Sequence, residues 1–131
     1  MKHSSMLTIA SLLSLLFLTL HLTDDIVRGM EPGGLNNLIG GSLIMVVWLC
    51  GALMLSERRS GYVIMLVGSL LALGMPVIHV MGAGGVFSGE IAKSSGAFLF
   101  VWTLHVLGVT GMFSLILSAR GLWNLQRSQS R

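Results

Sequence analysis

GYVIMLVGSLLALGMPVIHVM, residues 61–81, decides the fold. It holds no Asp, Glu, Lys or Arg over the roughly 20 residues that a helix needs to cross the hydrocarbon core of a bilayer. Lipid cannot satisfy an open strand edge or a bare loop, so such a span must be an α-helix. Outward from it lie three more runs without those four residue types, at 6–22, 38–55 and 96–119. The expectation is an all-α integral membrane four-helix bundle, with residues 1–131 forming a single four-span domain.

Composition agrees. The chain is 53% hydrophobic and 10% charged, with a mean hydropathy of +0.85, whereas a soluble domain carries about 25% charged residues. The first run, preceded by Lys2, also resembles a secretory signal peptide. Thr19-Leu20-His21 makes a poor small-x-small cleavage site, so a retained first helix is expected.

The basic residues orient the spans. Lys2, Arg58, Arg59, Arg120, Arg127 and Arg131 flank one side; Arg28 and Lys93 flank the other. The positive-inside rule therefore puts both termini in the cytoplasm. Glu57 is on the cytoplasmic side, and Asp24, Asp25, Glu31 and Glu90 are outside, a net of +5 against −2. The basic pI near 9.8 is thus a topology signal. With no basic stripe interleaved with aromatics, a nucleic-acid partner is not expected. The lipid bilayer is, and the tail 126–131 suits anionic headgroups. The chain has no N-x-[ST] acceptor and no organellar targeting pattern, so a bacterial inner membrane is the expected location.

Several chemistries are disfavoured. Cys50 is the only cysteine, which argues against thiol–disulfide exchange and makes it a packing residue by expectation. Gly82, Gly84 and Gly85 lack the GK[ST] ending and the preceding strand of a phosphate-binding loop. Small multidrug-resistance exporters share the length and span number, but they use a glutamate embedded in the first helix, and this first run has none.

Small residues predict where helices touch. Gly68, Ala72 and Pro76 recur every fourth position in the third run, and Gly108, Gly111 and Ser114 line the fourth. Small residues at such spacing let backbones approach closely in lipid. One such strip is available for a homo-oligomer or a larger membrane complex.

Against this background, His21, Asp24, Asp25, His79 and His105 stand out as candidate pocket residues. An ionisable group at membrane depth is costly and marks a functional site by default. At 1.5 Å of rise per residue, His21 and His79 lie roughly 12 Å outward of their span centres, and His105 roughly 3 Å. All fall in the outer half. His21 shares a helix face with Asp24 and Asp25, so a carboxylate can orient its imidazole. The two Asp, His21 and His79 also suit the headgroup level. His105, being deepest, carries the most weight.

Three readings follow. The first is an accessory or small-solute-binding membrane protein with a His/Asp pocket. The second is a metal ion or haem held by His21, His79 and His105, since imidazole suits zinc, copper, iron and nickel, and two histidines at equal depth can flank a haem. The third is a small proton-coupled transporter. An enzyme is not favoured, because only the His21/Asp25 pair approaches a supported acid–base arrangement.

Overall fold

The computed structural model describes residues 2–29, 34–81 and 96–129. They form four α-helices: α1 (His3–Val27), α2 (Gly34–Met54), α3 (Arg59–Met81) and α4 (Ala97–Gln129). No strand occurs among the described residues. All four helices are long and apolar enough to cross a membrane.

The helices outrun the apolar runs that predict them. No Gly or Pro interrupts residues 23–27, so α1 carries Asp24 and Asp25 in its last turn. It stops where Gly29 turns to a φ of 67°, a left-handed conformation that glycine adopts freely. Arg28 N–H, bonded to the Asp24 carbonyl at 3.0 Å, closes that end. Similarly, α4 continues for almost three turns past Ala119, reaching about 50 Å over its 33 residues. The length of an apolar run bounds the stretch that could lie in hydrocarbon, not the helix. Residues 30–33 and the expected glycine-rich connection 82–95 lie outside the described residues.

The strip of small residues on α4 lies against α3, with which it runs antiparallel. A Cβ added at Gly111 would meet Ala72 Cβ at 3.0 Å, and one at Gly108 would meet the Pro76 ring at 2.9 Å. Further along, Gly121 receives the Tyr62 ring. The strip on α3 divides between two neighbours. Ala72 and Pro76 meet α4, but Gly68 accepts the buried Trp48 ring of α2. Four residues advance a helix by about 400°, so a four-residue strip drifts about 40° per step and reaches a second partner.

Where α1, α3 and α4 meet, Ser11, Ser69 and Ser114 form a buried knot. Ser114 Oγ lies 2.8 Å from Ser11 Oγ and 2.7 Å from Ser69 Oγ. Ser69 also bonds to the Met65 carbonyl at 2.5 Å. Leu104, Leu107 and Ala72 fill the core between this knot and the end where α1 and α3 finish. α2 lies against α1 and α3 and does not pack on α4. Its Ala52 carbonyl accepts a bond from the Thr8 hydroxyl at 3.2 Å.

Most large apolar side chains outside the core are exposed, among them Leu16, Leu43, Val67, Ile78 and Phe113. A surface of this kind is an aggregation hazard in water and suits a lipid environment. Cys50 belongs to this exterior. The packing role expected of it is therefore not seen. Trp102 is also exposed, stacked on Phe98 with ring centroids 6.2 Å apart, and Trp123 carries the Arg127 guanidinium at 5.0 Å.

Candidate functional site

His21 and Asp25 are one helical turn apart on α1, so their side chains stack on one face. That face turns inward; the whole of His21 is solvent-inaccessible and Asp25 is buried. α3 runs parallel to α1 and brings His79 alongside. Three atoms then converge. His21 Nε2 and His79 Nε2 are 3.4 Å apart, His21 Nε2 and Asp25 Oδ2 are 3.6 Å apart, and His79 Nε2 and Asp25 Oδ2 are 3.5 Å apart.

The other nitrogen of each ring is engaged elsewhere. His79 Nδ1 lies 2.9 Å from the Met75 carbonyl, which can only accept, so Nδ1 carries a hydrogen. His21 Nδ1 lies 3.4 Å from Thr103 Oγ1 on α4. The Thr103 hydroxyl directs its own hydrogen to the carbonyls of Leu99 and Phe100, at 2.9 and 3.1 Å, so its oxygen accepts from His21. In the neutral rings, both Nε2 atoms are therefore lone pairs, and they face a carboxylate oxygen. Three acceptors pointed at one spot repel unless a positive charge lies between them. Asp25 Oδ1 adds to the imbalance, being buried without a hydrogen-bond partner among the described residues.

Phe100 floors the cluster, its ring centroid 4.9 Å from that of His21 and 5.6 Å from that of His79. Next to it Asp24 binds the Arg28 Nε at 2.7 Å, and the guanidinium sits 5.7 Å from the Phe100 centroid. Asp24 is thus tied to Arg28 and is not a member of the triad.

The residue weighted most in the sequence is not in the cluster. His105 is exposed, and its Nδ1 bonds to the Val101 carbonyl of its own helix at 2.7 Å. Two residues past Thr103 is about 200° around the helix, so the two side chains point to opposite sides. Depth alone could not separate them, since it ignores azimuth. The buried stripe of α4, Phe100, Thr103, Leu107, Gly111, Ser114 and Ser118, leaves out position 105. Its small and hydroxyl residues are a readable signal for that face, on which Thr103 lies.

The expected haem arrangement does not fit either. A macrocycle held between two imidazoles separates their ring centroids by roughly 6 Å on opposite sides of the metal, given metal–nitrogen bonds of about 2 Å and about 1.2 Å from nitrogen to ring centre. The His21 and His79 centroids are 4.8 Å apart at an interplanar angle of 74°. Comparison with protein-family models, curated proteins and solved structures yields no match.

Proposed function

We propose that the protein is a small multi-pass inner-membrane protein, with both termini cytoplasmic, that binds a single cation in the outer half of its bundle through His21, Asp25 and His79. Its role is accessory, as a cation-holding subunit rather than an enzyme. The orientation rests on the basic residues flanking the spans, and the burial of a carboxylate with two imidazoles supports a functional role at membrane depth.

The observation that carries the reading is the convergence of His21 Nε2, His79 Nε2 and Asp25 Oδ2, with edges of 3.4–3.6 Å. A gap of that size takes one atom. It favours an ion over the polyatomic solute that the polar residues first suggest. A groove of about 490 Å³ between α2 and α3 is lined by Leu43, Val47, Val63, Val67 and Leu71 and holds no charged group to select a solute.

A second reading shares the same atoms. A proton on one Nε2 also relieves the three acceptors, as a proton-coupled carrier would require. The two readings part in one experiment. Protein purified in mild detergent is equilibrated with zinc, cobalt(II), manganese, magnesium and calcium in turn, dialysed and assayed for bound metal. One equivalent of some ion, lost in Asp25→Asn, is the expected result. No retained ion, together with proton flux in liposomes that Asp25→Asn abolishes, establishes the proton reading instead.

A further inference from the structure

We infer that the cation of this site is a zinc-class ion in four-coordinate geometry, with His21, His79 and Asp25 as three ligands and a fourth, exchangeable position taken by an anion or hydroxide. The inference rests on the cation-binding reading above and specifies its ion.

The donor set comes first. Two imidazoles and one carboxylate suit zinc and its first-row neighbours, whereas calcium and magnesium take oxygen ligands. Ligand spacing then separates coordination numbers. Zinc binds His nitrogen at about 2.0–2.1 Å, which places neighbouring donors of a tetrahedron about 3.3 Å apart; an octahedral ion with similar bonds needs about 3.0 Å. The three edges here are 3.4, 3.5 and 3.6 Å. An octahedral ion would have to draw all three donors inward by several tenths of an ångström. A tetrahedral ion about 2.1 Å from each donor fits with little movement, standing roughly half an ångström out of their plane.

The neighbouring groups suit ligation. Each histidine is oriented through its remote nitrogen, His79 by the Met75 carbonyl and His21 by Thr103, as metal-bound imidazoles usually are. Asp25 Oδ1 has no hydrogen-bond partner among the described residues, which leaves the carboxylate room to tilt towards the ion.

The fourth position follows from geometry and charge. An ion out of the donor plane directs its remaining orbital along the normal to that plane. No fourth His, Cys, Asp or Glu joins the group among the described residues. Three protein ligands with one open position is the arrangement of zinc sites that exchange a ligand, while structural sites are closed by four. A divalent ion with one carboxylate leaves a net single positive charge in a buried setting, and Asp24 is neutralised by Arg28. An anionic fourth ligand removes that charge, which low-dielectric surroundings penalise. Access is on the His79 side, whose side chain is 20% exposed against 0% for His21.

Cobalt(II) substitution tests this. The full chain in mild detergent is titrated with cobalt(II) while visible absorption is followed, and azide is then added. One equivalent with intense visible bands, shifted by azide and displaced by zinc, is the expected result. His105→Ala should give the same spectrum, and Asp25→Asn, which keeps the side-chain shape, should lose or alter it. Stoichiometric cobalt with only weak octahedral bands, or a preference for manganese or magnesium, overturns the four-coordinate assignment while cation binding stands. Intense bands indifferent to azide overturn the exchangeable position. No stoichiometric ion from any of the titrations overturns the cation-binding reading and this inference with it.

Discussion

Replacing Thr103 by Val tests whether α4 tunes a site whose ligands come from α1 and α3. The swap keeps the side-chain shape and removes one acceptor, the oxygen 3.4 Å from His21 Nδ1. The hydrogen bond that the hydroxyl donates is not missed, because the Leu99 and Phe100 carbonyls that accept it also accept from backbone N–H groups of the helix. The lost bond leaves His21 Nδ1–H buried without a partner, at a cost to folding of about 1–3 kcal/mol. For the ion, losing the group that orients a ligand lowers affinity about 10–100-fold. At 3.4 Å the bond is longer than the usual 2.7–3.2 Å, so the lower end applies: about tenfold, or about 1.4 kcal/mol. Competition against a chelating dye in detergent measures this for zinc. Thr103→Ser, which restores the acceptor, should recover most of the affinity. If Thr103→Val and Thr103→Ser both bind within a factor of about two of the parent, the hydrogen bond does not orient His21 and the reasoning fails.

Other outcomes follow from the same geometry. His105→Ala should leave zinc affinity unchanged, and a loss comparable to that of His79→Ala would place His105 in the site after all. Zinc affinity should fall steadily from about pH 8 to about pH 5, because protons compete for the same lone pairs; a flat profile in the dye assay contradicts ligation by two imidazoles. Gly121→Ala puts a methyl group into the Tyr62 ring and should cost about 1–3 kcal/mol in reversible unfolding from mixed micelles. Gly74→Ala, with open space at its Cβ, should be neutral or stabilise by up to about 1 kcal/mol, and equal effects of the two would contradict the close approach of α3 and α4. Ser114→Ala removes the centre of the hydroxyl knot and should cost about 1 kcal/mol by the same measurement, since a hydrogen bond between membrane helices averages about 0.6 kcal/mol.

The helices were legible because long runs without Asp, Glu, Lys or Arg have the length and composition of membrane-spanning helices. The ends were less so, since Asp24 and Asp25 stop an apolar run without stopping a helix. The contact strip of α4 was legible from Gly108, Gly111 and Ser114, while the divided duty of Gly68 and Ala72 needed helix azimuth. For the site, depth put His21 and His79 at one level, and the i, i+4 spacing joined Asp25 to His21. Which helices are neighbours is a tertiary fact that one sequence does not carry. Hence sequence depth does not single out Thr103 or Phe100, and it draws attention to His105, which is exposed and faces away from the cluster.

The site draws on α1, α3 and α4, and this orders events during synthesis. In the proposed membrane topology, His21 and Asp25 enter the bilayer with the first segment made, but Thr103 is polymerised about 80 residues later, a delay of roughly 4–16 s at 5–20 residues per second. Until α4 joins, a carboxylate and an imidazole sit on a helix that has neither the Phe100 floor nor a hydroxyl partner. Independently inserted helices that associate afterwards accommodate such a wait. The finished centre is then a marker of completed assembly: α1 expressed separately should regain ion binding only when it finds the α3–α4 hairpin, so that capture of the ion reports the joining of the first helix to the last.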